Sequence, residues 1–194
     1  MNFLLFIELS AVLTGLAFIS LLIYEKIWCW PMGIISSLLS IYLFYATKLY
    51  AESILYFYYV LIGIYGWYVW SARKSKSLKV HTVSHWFHAI ALFLGVSLSY
   101  LFGSFFMHYT DSPRPYADSI STIFSFIASY MEAQKILSSW IFWMCINAFS
   151  IWLYLDRGFK IYGGLMVVYF LLSVIGFLQW QKNLEDGQIK TVVV

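Results

Sequence analysis

The chain is predicted to be an all-α integral membrane protein, with seven transmembrane helices in a parallel 3+1+3 repeat. Three observations predict this. Seven apolar stretches of spanning length fill nearly all of the 194 residues. Hydrophobic residues make up 62% of the chain and charged ones only 11%, too few to cover a soluble domain of this size. The first three stretches also share an ordered set of residues with the last three, which is how small-solute carriers built from repeated halves read in sequence.

The spans fall at about 3–23, 28–46, 53–71, 84–107, 117–134, 139–156 and 160–181. A helix needs about 20 residues to cross the hydrocarbon layer, so the shorter ones require tilt or local thinning. Span one ends at Glu25 and Lys26. Span two opens on Trp28 and Trp30, carries Gly33, Ser36 and Ser37, and ends at Thr47 and Lys48. Span three starts beside Tyr50 and Glu52 and closes on Gly66, Trp67 and Trp70. A basic loop at 73–81 precedes span four. Ser112, Pro113, Arg114 and Pro115 then stop the chain from continuing as a helix. Span five starts with Asp118 and ends at Gln134 and Lys135. Span six opens on Trp140 and Trp143 and ends at Asp156. Span seven closes on Gly176 and Trp180.

The recurrence is positional. Gly-x-x-x-Trp closes spans three and seven, 110 residues apart, and Glu8 and Asp118 are separated by the same interval. Tyr50 and Tyr162 precede the third helix of each half, and Glu25-Lys26 is matched by Gln134-Lys135. Four spans separate equivalent helices, so both halves cross in one direction with span four as connector. The expected divisions are 1–72 for the first triplet, 73–116 for the connector helix and its loops, 117–182 for the second triplet and 183–194 for a cytoplasmic tail. Lys and Arg favour the side holding Lys26, Arg73, Lys74, Lys76, Lys79, Lys135, Lys182 and Lys190 over the side holding Lys48, Arg114, Arg157 and Lys160. The positive-inside rule therefore predicts an outer N-terminus and an inner C-terminus.

Composition narrows the function. The net charge of +3 comes mostly from one loop and does not point to nucleic acid. Cys29 and Cys145 form neither a metal-ligand spacing nor a disulfide framework. His81, His85, His88 and His108 sit at loop edges with no Cys or carboxylate to complete a metal set. Glu8 lies where the positive region of a signal peptide should be, so no cleavable leader is expected. No phosphate-binding loop, nucleophile elbow or metalloprotease helix is visible, and neither an enzyme nor a cofactor is predicted.

Trp140, Trp143 and Asn147 are spaced i, i+3, i+7 and share one helix face, with Ser150 near the same stripe. Asn147 lies roughly 10 Å deeper than Trp140 at 1.5 Å per residue. An amide at that depth needs a partner that lipid does not offer. Two readings follow: a cavity wall in which rings stack on a flat cation, or an interfacial tryptophan belt with an inter-helix hydrogen bond. Glu8 and Asp118 either draw a cation toward an entrance or support helix starts at the headgroup level. Glu52 reads as a solvated helix start. Ser36, Ser37 and Gly33 either permit close helix packing or line the cavity.

Trp30-Pro31-x-Gly33, Leu49-Tyr50-Ala51-Glu52 and Tyr65-Gly66-Trp67-Tyr68-Val69-Trp70 together resemble the PnuC family of bacterial nicotinamide riboside transporters. Asp118-Ser119 and Trp140-x-x-Trp143-x-x-x-Asn147-x-x-Ser150 resemble it as well, and the likeness runs through nearly the whole chain. The resemblance implies an architecture related to the SWEET sugar carriers. It implies facilitated diffusion of a cationic vitamin across the bacterial inner membrane lipid bilayer, with trapping by a cytoplasmic vitamin kinase, and oligomers with a homotrimer as the candidate assembly. Trp140, Trp143 and Asn147 would line the site, and Trp30 within the resembling motif, Ser150, Tyr56, Asp118 and Glu8 are further substrate-binding candidates. Where family members often carry Gln four residues after the acid, this chain has Tyr56. The missing amide leaves thiamine open beside nicotinamide riboside, because both are flat aromatic cations bearing hydroxyl groups. A carrier of neutral solutes on the same architecture is the rival reading.

Overall fold

The computed structural model describes residues 3–46, 50–72, 78–109, 113–156, 158 and 160–192; the side chains of 50–52, 54, 161, 162 and 187–192 lie outside that description. Among these residues the chain forms seven helices: α1 (Phe3–Ile23), α2 (Cys29–Ala46), α3 (Tyr50–Ala72), α4 (His85–Tyr109), α5 (Pro115–Ala133), α6 (Ser139–Asp156) and α7 (Lys160–Val192). There is no sheet among the described residues, only an isolated bridge between His81 and Ile136. Among the described residues, four stretches are long and apolar enough to cross a membrane by length and composition: Phe3–Ile23, Cys29–Ala46, His85–Tyr109 and Gly163–Asp186. The sequence reading expected seven spans, and seven helices are present among the described residues. α7 continues as a helix to Val192, through most of the segment expected to be a tail.

The chain divides into two compact units, residues 1–79 and 80–194. In the first, α2 packs against both α1 and α3. In the second, α4 packs on α5, α5 on α6, and α6 on α7. α4, expected as a connector, thus belongs to the second unit's packing. It meets α5 along Gly95, Ser99 and Gly103, where small side chains admit the rings of Phe124 and Tyr116. Close approach of this kind drives helix association where lipid removes the hydrophobic contrast. Large apolar side chains such as Leu13, Phe93, Leu101 and Leu178 stay exposed, as a lipid-facing surface requires.

Both units contain the same tight helical joint. In the first, Glu25 takes φ +53°, the Glu25 N–H donates to the Leu22 carbonyl at 2.9 Å, and the Lys26 N–H donates to Leu21 at 2.9 Å. In the second, Lys135 takes φ +58°, its N–H donates to Glu132 at 3.0 Å, and Ile136 donates to Met131 at 2.9 Å. These paired bonds satisfy the last carbonyls of α1 and α5 and turn the chain within a few residues. The bonds that start the next helix also recur 110 residues on: Cys29 to Lys26 at 2.9 Å, and Ser139 to Ile136 at 3.0 Å. The second joint is further held by the 80–84 segment. The His81 N–H donates to the Lys135 carbonyl at 3.1 Å, and the Leu137 N–H donates to the His81 carbonyl at 3.0 Å.

Candidate functional site

Immediately after each joint a tryptophan points into the packing. Trp30 lies over Gly66 of α3 and stands edge-on to Trp70, with ring centroids 5.4 Å apart at 89°. Trp140 lies over Gly176 of α7 and stands edge-on to Trp180 at 5.4 Å and 90°. The glycines are required: a Cβ at Gly66 would come within 2.4 Å of the Trp30 ring, and one at Gly176 within 2.5 Å of Trp140. The Gly-x-x-x-Trp signature is therefore a socket for an aromatic ring from the preceding helix. Trp30 and Trp140 are 2% and 0% exposed. The sequence put both among the substrate-contacting candidates; the structure places both inside helix packing, with no face open to a solute in this conformation.

Trp143, Asn147 and Ser150 continue up α6. Trp143 is half-buried, while its indole nitrogen is fully enclosed and lacks a hydrogen-bond partner. Asn147 is buried and its Nδ2 donates to the Ser173 Oγ of α7 at 3.2 Å. Ser173 in turn donates to the Tyr169 carbonyl at 2.8 Å. The partner that the buried amide needs is thus supplied by the neighbouring helix. Ser150 is buried on α6.

Tyr56 is half-buried in the first unit, in an aromatic cluster with Phe44 at 5.3 Å and Tyr59 at 5.6 Å, and Tyr59 also meets Tyr58. Asp118 is half-buried in the first turn of α5, which starts at Pro115 and suits an acid at its positive end. Glu8 is exposed on α1. Neither acid is enclosed. Tyr50, Glu52 and Tyr162 have side chains outside the described residues, as do Lys48, Arg73, Lys74, Lys76, Arg157 and Lys190.

The enclosed carboxylate is one that the motifs do not mark. Glu132, at the end of α5, is 4% exposed, and its side chain interacts with that of Trp143. Its signal in the sequence was its being an acid within an apolar span, where carboxylates are costly. Ser173, the partner of Asn147, is equally silent in sequence. No group of His, Cys, Asp and Glu among the described residues could hold a metal ion.

Several helices long and apolar enough to cross a membrane, with few enclosed polar groups, mark a multi-pass membrane protein. The family model described as "Nicotinamide mononucleotide transporter" matches residues 5–182. The chain therefore belongs to this family, the PnuC family of membrane transporters, and is not an enzyme. The nicotinamide riboside transporter PnuC of Escherichia coli strain K12 is 22% identical over 207 aligned positions, covering 93% of this chain and 87% of that protein. The riboflavin/roseoflavin transporter RibM of Streptomyces davaonensis is 23% identical over 174 positions, covering 86% and 80%. A crystal structure of the vitamin B3 transporter PnuC shares the fold with a TM-score of 0.76 at 22% identity, over 93% of this chain and 83% of that one.

Proposed function

We propose that this protein carries nicotinamide riboside across the bacterial inner membrane by facilitated diffusion, with a cytoplasmic kinase trapping the substrate by phosphorylation. The observation that carries the reading is family membership over residues 5–182, together with relatives named for that nucleoside. The α6 wall is consistent with it: a half-buried tryptophan suits a flat cationic ring, and an amide one turn further can hold a carboxamide or hydroxyl. We assign Trp143, Asn147 and Ser150 to this wall, and count Tyr56 of the first unit among the substrate-binding residues. Asp118 and Glu8 attract the cation, and Trp30 and Trp140 keep the helices of their own units in register.

The architecture we infer is a SWEET-like 3+1+3 duplication with divisions at 1–72, 73–116, 117–182 and 183–194, supported by the recurrence of joint and socket at an interval of 110 residues. The orientation is N-terminus out and C-terminus in. Reporter fusions placing residues 73–79 outside the cytoplasm would overturn it. A homotrimer is the expected assembly, to be read by light scattering in detergent.

The decisive measurement is isothermal titration of purified protein with nicotinamide riboside, thiamine, riboflavin and glucose. Saturable binding of nicotinamide riboside, and uptake into proteoliposomes that accumulates only with enclosed kinase and ATP, is the expected result. Tighter binding of thiamine would reassign the substrate. Tighter binding of riboflavin would favour a second reading, a flat neutral vitamin, which the likeness to RibM supports. Glucose alone would mean a neutral-solute carrier.

A further inference from the structure

The shared joint gives each residue beside it a counterpart 110 positions away, and three of these pairs differ in chemistry. Leu22, Cys29 and Gly33 of the first unit correspond to Glu132, Ser139 and Trp143 of the second. In the first unit all three positions are apolar or small: Leu22 and Cys29 are fully buried, and the Phe18 ring fills the space over Gly33, where a Cβ would come within 2.8 Å of it. In the second unit the counterpart of Phe18 is Ala128, also fully buried, so the aromatic ring now comes from α6 as Trp143. The apolar and small side chains are exchanged for a carboxyl group and two polar donors.

The Glu132 carboxyl group lies at the end of α5, three residues before the buried Lys135, and interacts with the Trp143 indole. The Ser139 hydroxyl, one turn before Trp143 on the same face of α6, is fully buried and has no partner, and neither has the indole nitrogen of Trp140. A carboxylate enclosed in helix packing is costly unless opposite charge reaches it. Nothing in the packing of the first unit calls for this group, since Leu22 fills the same position.

We infer that Glu132 is a charge-selecting residue of the transport path, its carboxyl group beside the Trp143 indole making this end of α6 favour a flat cation over a neutral solute of the same shape. Trp143 supplies a π face, which attracts a cation weakly by itself. Beside the indole, Glu132 adds a carboxyl group whose negative form a bound cation favours, and Ser139 adds a donor for a polar substituent. The inference rests on the reading that the substrate is a cationic vitamin, and it locates the source of that preference.

The test compares nicotinamide riboside with its reduced dihydro form, which is neutral and nearly the same shape, by titration of wild type, Glu132→Gln and Glu132→Leu. Glu132→Gln keeps an acceptor for the indole and removes the charge; Glu132→Leu reproduces the first unit. Wild type is expected to prefer the cation by at least tenfold. Both variants should lose that preference by weaker binding of the cation, with binding of the neutral form within threefold of wild type. A wild type with no preference overturns the inference without any variant, so poor folding of either variant leaves it open to refutation. Variants that keep the full preference also overturn it. If wild type binds neither nicotinamide riboside nor thiamine, the transport reading fails and this inference falls with it.

Discussion

The α1–α3 triplet and the α5–α7 triplet share a joint and a socket and differ in what surrounds them. Both turn on a left-handed residue that is not glycine, Glu25 or Lys135. Both then seat a tryptophan in a glycine notch against a second tryptophan at 5.4 Å. Such agreement in backbone strain, hydrogen bonds and ring geometry means that the joint is set by common physical demands: close the helix, turn within five residues, and lock the next helix. Around the joint the first triplet is filled by Phe18, Leu22 and Cys29, whereas the second carries Glu132, Ser139 and Trp143. Stability is therefore expected to be symmetric between the triplets and function asymmetric.

The largest expected effect tests the symmetry. Trp30→Ala and Trp140→Ala each empty a fully packed site and should each cost about 3–5 kcal/mol. Thermal unfolding in detergent should show similar losses; a tolerant Trp30→Ala beside a crippled Trp140→Ala would break the equivalence. Next come Gly66→Ala and Gly176→Ala, where the added methyl meets a ring that has nowhere to go, at a cost of about 1–3 kcal/mol each. Gly164→Ala on the same helix α7 is the control, because a Cβ there meets nothing within 4 Å. It should stabilise by up to about 1 kcal/mol through helix propensity. Equal losses at 66 and 176 with a gain at 164 would separate socket packing from general glycine effects.

Much of this symmetry was legible in the sequence. The Gly-x-x-x-Trp pairs and the order of the spans gave the helices and the matching ends, because hydrophobic runs and helix breakers are local signals. What the glycines do was not legible: the ring filling each notch comes from a different helix, 36 residues before Gly66 and Gly176 alike. For the same reason Trp140 reads in sequence as one member of a stripe with Trp143. In the structure one ring is swallowed by α7 while the other stays partly open. The i, i+3 rule places two side chains on a face but does not say how wide that face is once neighbours pack. Glu132 escaped because a lone acid has no pattern, and its meaning comes from Leu22 occupying the matching place.

The asymmetry is sharpened by Asn147 and its counterpart Ser37, both buried. Asn147→Leu removes the bond to Ser173 but leaves the Ser173 hydroxyl donating to Tyr169. Folding should survive with a loss of about 1 kcal/mol, while nicotinamide riboside affinity falls about tenfold, or ~1.4 kcal/mol. Ser37→Ala should leave affinity unchanged. Equal affinity losses at the two positions would mean that both triplets contribute alike to the site.

The smallest effect is expected at the other end of the helices. There Phe3 stands edge-on to Tyr42 at 6.0 Å in the first triplet. In the second, Arg114 lies 5.7 Å over the ring of Trp152, the counterpart of Tyr42, and pairs with Asp156 at 2.7 Å. The pair looks strong by distance, yet the Arg114 side chain is 47% exposed and Asp156 31% exposed. Water screens the charges, and ordering two flexible side chains offsets much of the gain, so the ion pair should contribute below about 1 kcal/mol. The cation over Trp152 adds about 0.5–1 kcal/mol at an exposed site. Arg114→Ala should therefore lower stability by about 1 kcal/mol, and Asp156→Asn by less, with the latter effect vanishing in 0.5 M salt as screening shortens the reach of the charges. Arg114→Lys keeps the charge but loses the planar stacking, and should fall between them. If Arg114→Ala instead abolished uptake with stability intact, this exposed pair would have to be counted with Glu132 among the functional differences between the triplets, and the asymmetry would extend along the whole length of α6.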